Sequence, residues 1–313
     1  MKVSVDHSCR LLGISRQSYY HQQRIRQHKA VEEEVILQLV SEVRGRLPEA
    51  GGKMLYVKIK GDLLRMRIKL GRDGLFVLLA ANNLLIRRRK RRVWTTDSNH
   101  GLKIYANLIR EMDICRPNQV WVSDITYFRI GYEFVYICLI TDAWSKKILG
   151  YSVSDNLEGI NALRALKMAI AQAPDHLRGI IHHSDRGVQY CSKDYVTTLQ
   201  KNHFKISMSS KGNPLENSVA ERINATIKND FLYHYKVQNL SEAVTGLAKA
   251  VRIYNTERPH SSVQYYTPSQ AHQRQQGGLQ NMWKPSINSK PISGLNNKCK
   301  LIPGITLKTV NLF

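Results

Sequence analysis

Asp124, Asp185 and Glu221 of this 313-residue chain stand out among its acids because of where they fall. Asp124 interrupts the apolar, β-branched run VWVSDITYFRI, where a charge is expensive to desolvate unless paired or bound to metal. Asp185 falls where GIIHHSD ends and RGVQY begins. That is the carboxyl edge of a short strand, the usual place for a site in an open α/β sheet. Glu221 lies in a stretch of helical pattern, with Asn217 four residues before it and Lys228 seven after, all on one helical face. Carboxylates from two strands and a helix, if brought together, form a hard-oxygen site suited to magnesium or manganese. Such ions keep waters and let substrate phosphate complete the octahedron. Two of them about 3.5–4 Å apart would activate an attacking oxygen and stabilise a leaving one in an in-line displacement. Taken one at a time, each acid is at least as consistent with a surface ion pair or a helix cap.

The elements that must position these acids are legible from periodicity. From Gln119 the pattern turns to period two and to β-branched and aromatic residues: VWVSDITYFRI, EFVYICLITDAW and KKILGYSVSD read as three strands, the first two joined at Gly131 and Tyr132. Then NALRALKMAIAQA is helical, GIIHHSD a short buried strand, KDYVTTLQKN helical and FKISMS a strand. Two helices follow, from Leu215 to about Tyr235 and from Ser241 to about Tyr254. Strands first alone and then alternating with helices make a mixed α/β sheet flanked by helices.

Ahead of it, residues 1–30 read as two short helices turned at Gly13, the second starting at Ser15. A basic second helix is helix-turn-helix-like and makes Arg16 a candidate DNA contact, though two helices that merely pack on the next region fit as well. Residues 31–86 continue as helical pieces broken between Pro48 and Gly52. Residues 87–118 form a basic linker opening with Arg87, Arg88, Arg89, Lys90, Arg91 and Arg92. Self-repulsion keeps such a run extended, and an extended cationic segment is also a phosphate clamp. The catalytic unit spans 119–275, and 276–313, rich in Gly, Pro, Ser and Asn, reads as a poorly ordered tail.

Composition narrows the partner. With 47 Lys and Arg against 24 Asp and Glu, the formal charge is +23, which calls for a polyanion. No run approaches about 18 apolar residues and no apolar signal core opens the chain, which argues for nucleic acid rather than membrane and places the protein in the cytoplasm, with the nucleoid. The five cysteines are scattered without a CxxC pair, as expected of reduced thiols rather than structural zinc. Adjacent His182 and His183 point to opposite faces of a strand and cannot jointly chelate, which favours a structural or supporting role.

The segments around the acids carry a specific likeness. WVSDITY, HHSDRGVQYCS, ENSVAERINATIKND and YNTERPHSSVQYYTPSQAH, in that order, resemble the integrase core of DDE insertion-sequence transposases, above all the second-frame protein, OrfB, of elements that make their full transposase by frameshifting. Asp185 and Glu221 have 35 residues between them, the separation of that branch and of its retroviral integrase relatives. The likeness runs over roughly residues 5–272 and includes the SCRLLGISRQSYY start. It departs at Glu216, where many relatives have Asp, at Ser123, where Thr is common, and in the tail. The resemblance implies a ribonuclease H-like fold, Asp124, Asp185 and Glu221 as ligands of magnesium or manganese, as two ions once DNA is bound, and Lys228 as the residue holding the DNA end. It implies cleavage at a 3′ transposon end, attack of the freed hydroxyl on a second phosphodiester, assembly as a homo-oligomer on end and target DNA, and an OrfA partner, fused or separate, that reads the ends. A nuclease that cuts without joining, and a DNA-binding regulator of transposition, are the competing functions.

Overall fold

The computed structural model describes residues 4–86, 102–173, 178–210 and 217–274. The run Arg87 to Arg92 and the tail after 275 lie outside them. The described chain divides into two compact units: the residues up to 86 together with 225–260, and those from 102 to 224 together with 261–274.

The second unit is built on a five-stranded sheet. β1 (Val120–Ile130), β2 (Glu133–Asp142) and β3 (Ile148–Ser154) follow one another as antiparallel neighbours. Gly131, at φ +52°, supplies the left-handed backbone that the tight β1–β2 turn needs. The chain then crosses over through α5 (Gly159–Ala171) to β4 (Ile181–Ser184), which lies parallel to β1. A second crossover, through α6 (Val188–Cys191) and α7 (Lys193–Lys201), leads to β5 (Lys205–Met208), parallel to β4. The order is β3-β2-β1-β4-β5, a mixed sheet flanked by helices as the sequence pattern predicts. Antiparallel strands need only short turns, whereas each parallel pair needs a crossover, and the helices fall where the sequence pattern requires one.

Strand alternation gives the sheet two buried faces. On one, Trp121, Cys138, Ile140 and Leu149 pack with Ala162, Ala165, Leu166 and Ala169 of α5 and with Tyr190, Tyr195 and Leu199. On the other, Val120, Val122, Ala143 and Ile181 meet Ala220 of α8 (Ser218–Ile227). The stretch from 102 to 118, expected as a linker, is irregular but fastened to β5: Leu108 N donates to Ser207 Oγ at 2.9 Å and Met208 N to the Ala106 carbonyl at 3.4 Å. The unit closes with α11 (Pro268–Gln273), capped by Thr267 and Gln270.

The first unit contains α1 (Val5–Leu11), α2 (Arg16–Arg46), α3 (Gly52–Arg65) and α4 (Arg72–Ala81). Their apolar stripes are short: Ile36, Val40 and Val43 in α2, Leu55, Ile59 and Leu63 in α3, and Leu75, Leu78 and Leu79 in α4 are buried. The boundary expected at residue 30 falls inside α2. Ser15 caps its start by accepting from Ser18 N, and no helix-breaking residue intervenes before the turn at Pro48, so one helix replaces two segments. Residues 225–260, expected in one core with the sheet, group with these helices. Arg46 pairs with Glu257 at 2.9 Å and His234 with Glu49 at 3.0 Å. The single helix expected to Tyr235 stops as an α-helix at Ile227 and passes into a π turn, Lys228–Leu232, then α9 (Tyr233–Tyr235) and, after a break, α10 (Leu240–Thr256). The wider turn takes in one extra residue. Phe231 and Leu232 are both buried there, while Asp230 accepts from Arg258 Nη2 at 2.8 Å. Among the described residues no helix is long and apolar enough to cross a membrane.

Candidate active site

The parallel pairing of β1 with β4 decides where the first two acids fall. Val122 stands opposite His183, and two residues further along each chain come Asp124 and Asp185. Both are half-buried at the carboxyl end of this strand pair. Asp185 begins the loop that leads into α6, and its Oδ1 accepts from Gly187 N at 3.0 Å. Asp124 Oδ2 accepts from Asn224 Nδ2 of α8 at 2.8 Å. One turn earlier in that helix, Glu221 is exposed. It lies four residues after Asn217 and three before Asn224, on the helical side that meets β1. Among the described residues no three His, Cys, Asp or Glu side chains stand close enough together to hold a metal ion, while the β1–β4 register brings the two aspartates to one strand end.

Behind Asp124, on the opposite sheet face, lies a buried polar cluster that the sequence did not announce. Ser123 Oγ donates to Tyr190 Oη at 3.0 Å, and Cys138 Sγ lies 3.8 Å from Ser123 Oγ and 3.9 Å from Tyr190 Oη. Burial pushes the Cys138 thiol up to about 12, and the nearby charges of Asp124 and Asp185 add to the rise. The Tyr190 phenol is likewise driven well above its ordinary range, first by burial and then by its neighbours, both aspartates among them. The cluster is therefore neutral: a rigid, protonated floor rather than a source of nucleophile or base. His182 and His183 divide as expected for neighbours on a strand. His182 Nε2 meets the Tyr195 hydroxyl at 2.9 Å and His183 Nδ1 meets Ser207 Oγ at 2.9 Å.

The remaining expected contacts separate. Asn217, expected on DNA, is buried, and its amide donates to the Ser123 carbonyl at 3.2 Å. Its contacts hold α8 to β1 and offer no surface to phosphate. Lys228 opens the π turn, and Arg16 is exposed at the first position of α2. Arg87, Arg88, Arg89, Lys90, Arg91 and Arg92 lie outside the described residues. Asn224 is a site residue that sequence reasoning missed, although its place seven residues after Asn217 and three after Glu221 puts it on the same stripe.

Comparison with known proteins places the chain in a family. Two families, each described as integrase core domain, match residues 115–214 and 202–268. The 31 kDa protein of insertion element IS600 from Shigella sonnei is 33% identical over 267 residues, covering 83% of this chain and 96% of that protein. The transposase of insertion sequence IS629, also from Shigella sonnei, is 30% identical over 268 residues, covering 84% of this chain and 89% of that protein. The chain belongs to the IS3-family insertion-sequence transposases. As a transposase with an integrase core, it is a polynucleotidyl transferase acting on DNA in transposition. The InsF transposase of IS3A from Escherichia coli K12 is 33% identical over 174 residues, 55% of this transposase and 60% of that one. Among solved structures, the catalytic core of HTLV-2 integrase in complex with magnesium is 21% identical, with a TM-score of 0.40, over 50% of this chain and 97% of that one.

Proposed function

We propose that Asp124, Asp185 and Glu221 are the metal-binding acids of this transposase. With them it cleaves the 3′ transposon end and joins the freed hydroxyl to a second phosphodiester. The observation that carries the reading is the β1–β4 register, which sets Asp124 and Asp185 two residues beyond a paired position on adjacent parallel strands. The donor chemistry fits a small hard cation: both acids offer carboxylate oxygen, and magnesium needs only one or two carboxylates when phosphate and water complete its shell. Glu221, one turn from the Asn224 contact on Asp124, is the third donor, its three rotatable bonds letting the carboxylate swing towards the strand ends. Magnesium or manganese bound there, as two ions once DNA is present, would supply charge stabilisation at phosphorus and an activated attacking oxygen.

The protein's own part is positioning. β1 and β4 present the two aspartates from a rigid sheet, and the neutral cluster of Ser123, Cys138 and Tyr190 adds no competing charge beneath them. Lys228 grips the DNA end. Arg16 and the run from Arg87 to Arg92 neutralise phosphates without reading bases, so recognition of the terminal repeat comes from an OrfA partner and the working form is an oligomer on DNA.

The test is a duplex carrying one terminal repeat of the element, labelled at its 5′ end and incubated with the transposase and magnesium. Cleavage gives a shortened strand and joining gives longer products. Glu221→Ala should give neither, and joined products from that variant would remove the helix acid from the site.

A further inference from the structure

Asn217, the residue just before α8, and Asn224, within it, are polar side chains buried at 4% and 3% exposure, both bonded to β1. Seven residues apart, they lie on one stripe of the helix and hold consecutive residues of β1, Asn217 through the Ser123 carbonyl and Asn224 through Asp124 Oδ2. Among the described residues neither carboxamide oxygen has a hydrogen-bond partner, and both are buried. A buried acceptor without a donor is costly. Ala220 and Ile223 are also buried on α8, so the helix has apolar residues with which to pack. Packing alone therefore does not explain two amides whose oxygens go unsatisfied.

We infer that Asn217 and Asn224 form a two-point clasp that sets the register of α8 on β1 and orients the Asp124 carboxylate for a divalent cation. Asn224 holds one carboxylate oxygen and so fixes the plane of the group, as residues behind a ligand commonly do. Asn217 anchors the helix to the backbone of the preceding residue. Glu221 is bracketed by the two contacts, which keeps its Cα from sliding along the strand. Both asparagines are positioning residues acting through Asp124 and Glu221, and the inference rests on the reading of those acids as metal ligands.

The experiment measures manganese binding to the full-length protein by calorimetry, without DNA, beside its thermal melting. Asn224→Leu keeps the branched shape of the side chain, though it is larger, and removes the unsatisfied oxygen. A purely structural amide and a positioning amide then part company, because the variant should melt at or above the wild-type temperature yet bind manganese 10–100-fold more weakly, the usual cost of losing such a partner. Asn224→Ser, too short to reach Asp124 Oδ2, should show the same weakening, and Asn217→Leu a loss in the same direction. Asp124→Asn separates the two levels of the argument. If it binds manganese as wild type does, the ligand reading falls and the clasp with it. If it loses manganese while the Asn224 variants or Asn217→Leu keep wild-type affinity, the clasp is overturned and the ligand reading stands.

Discussion

Gly150 offers the sharpest test of how the sheet is backed. It lies on β3 facing α5, and a Cβ placed there would stand 2.0 Å from the Ala165 carbonyl oxygen, 2.8 Å from Ala169 N and 3.0 Å from Ala169 Cβ. Carbon and oxygen in their closest favourable contacts stay about 3.3 Å apart, so α5 would have to retreat by roughly 1.3 Å. No side-chain rotation can relieve contacts with backbone atoms. The retreat would loosen Ala162, Ala165, Leu166 and Ala169, all buried on that interface. Overpacking costs about 1–3 kcal/mol when neighbouring groups can yield, so Gly150→Ala should cost about 3 kcal/mol or more. Gly246 in α10 is the control. Its Cβ would meet only side-chain atoms, at 3.5 Å from Tyr235 and Val237 and 3.8 Å from Leu232, and removing glycine from a helix interior gains about 0.5–1 kcal/mol. At roughly 2–4 °C per kcal/mol for a unit of this size, Gly150→Ala should lower the melting temperature by about 6–12 °C while Gly246→Ala leaves it unchanged or raises it. A Gly150→Ala protein melting within about 2 °C of wild type would refute the close-approach argument.

Chemistry, acidity and salt give further expectations. Asp124→Ala and Asp185→Ala should abolish end cleavage and strand transfer with duplex affinity kept, since the phosphate-neutralising cations are untouched; a filter-binding titration beside the cleavage gel checks both. Magnesium or manganese should support turnover and calcium should permit binding with little cleavage, and full activity in excess chelator would end the metal reading. Burial, helped by the adjacent His183, pushes His182 down to about 3, whereas an unfolded histidine titrates near 6.5. Between those values only the unfolded chain takes up the proton, so stability falls as pH drops from about 6.5 towards 3, by about 1.4 kcal/mol per unit from this residue. Urea titrations at pH 7.5 and 5 should show a smaller loss for His182→Gln than for wild type; equal losses would remove His182 as the source. Neutralising the run from Arg87 to Arg92 should flatten the salt dependence of DNA binding, by about 0.9 in log–log slope for each phosphate the run neutralises, and an unchanged slope would show that it touches none.

What the sequence determined by itself is what local pattern encodes. Period-two runs placed β1, β2 and β3, the β-branched GIIHHSD placed β4, and the crossover helices between parallel strands followed from the same alternation of patterns. The identities of the acids and their order along the chain, with the flanking motifs, point to the transposase family without reference to the fold. The tertiary structure decided whatever depends on partners far away in the chain. Asn217 looks like an exposed polar residue on a helix face until β1, about ninety residues earlier in the chain, proves to be its neighbour and buries it. The π turn that opens at Lys228 carries Asp230, which meets Arg258, 28 residues on, and a helical periodicity spanning both sides of the turn gives no sign of either. Nor could any local window show that Asp124 would share its strand end with Asp185. Hydrophobic periodicity records which face of an element is covered, but the identity of what covers it is set by the register of β1 against β4, and that register exists only once the sheet has closed.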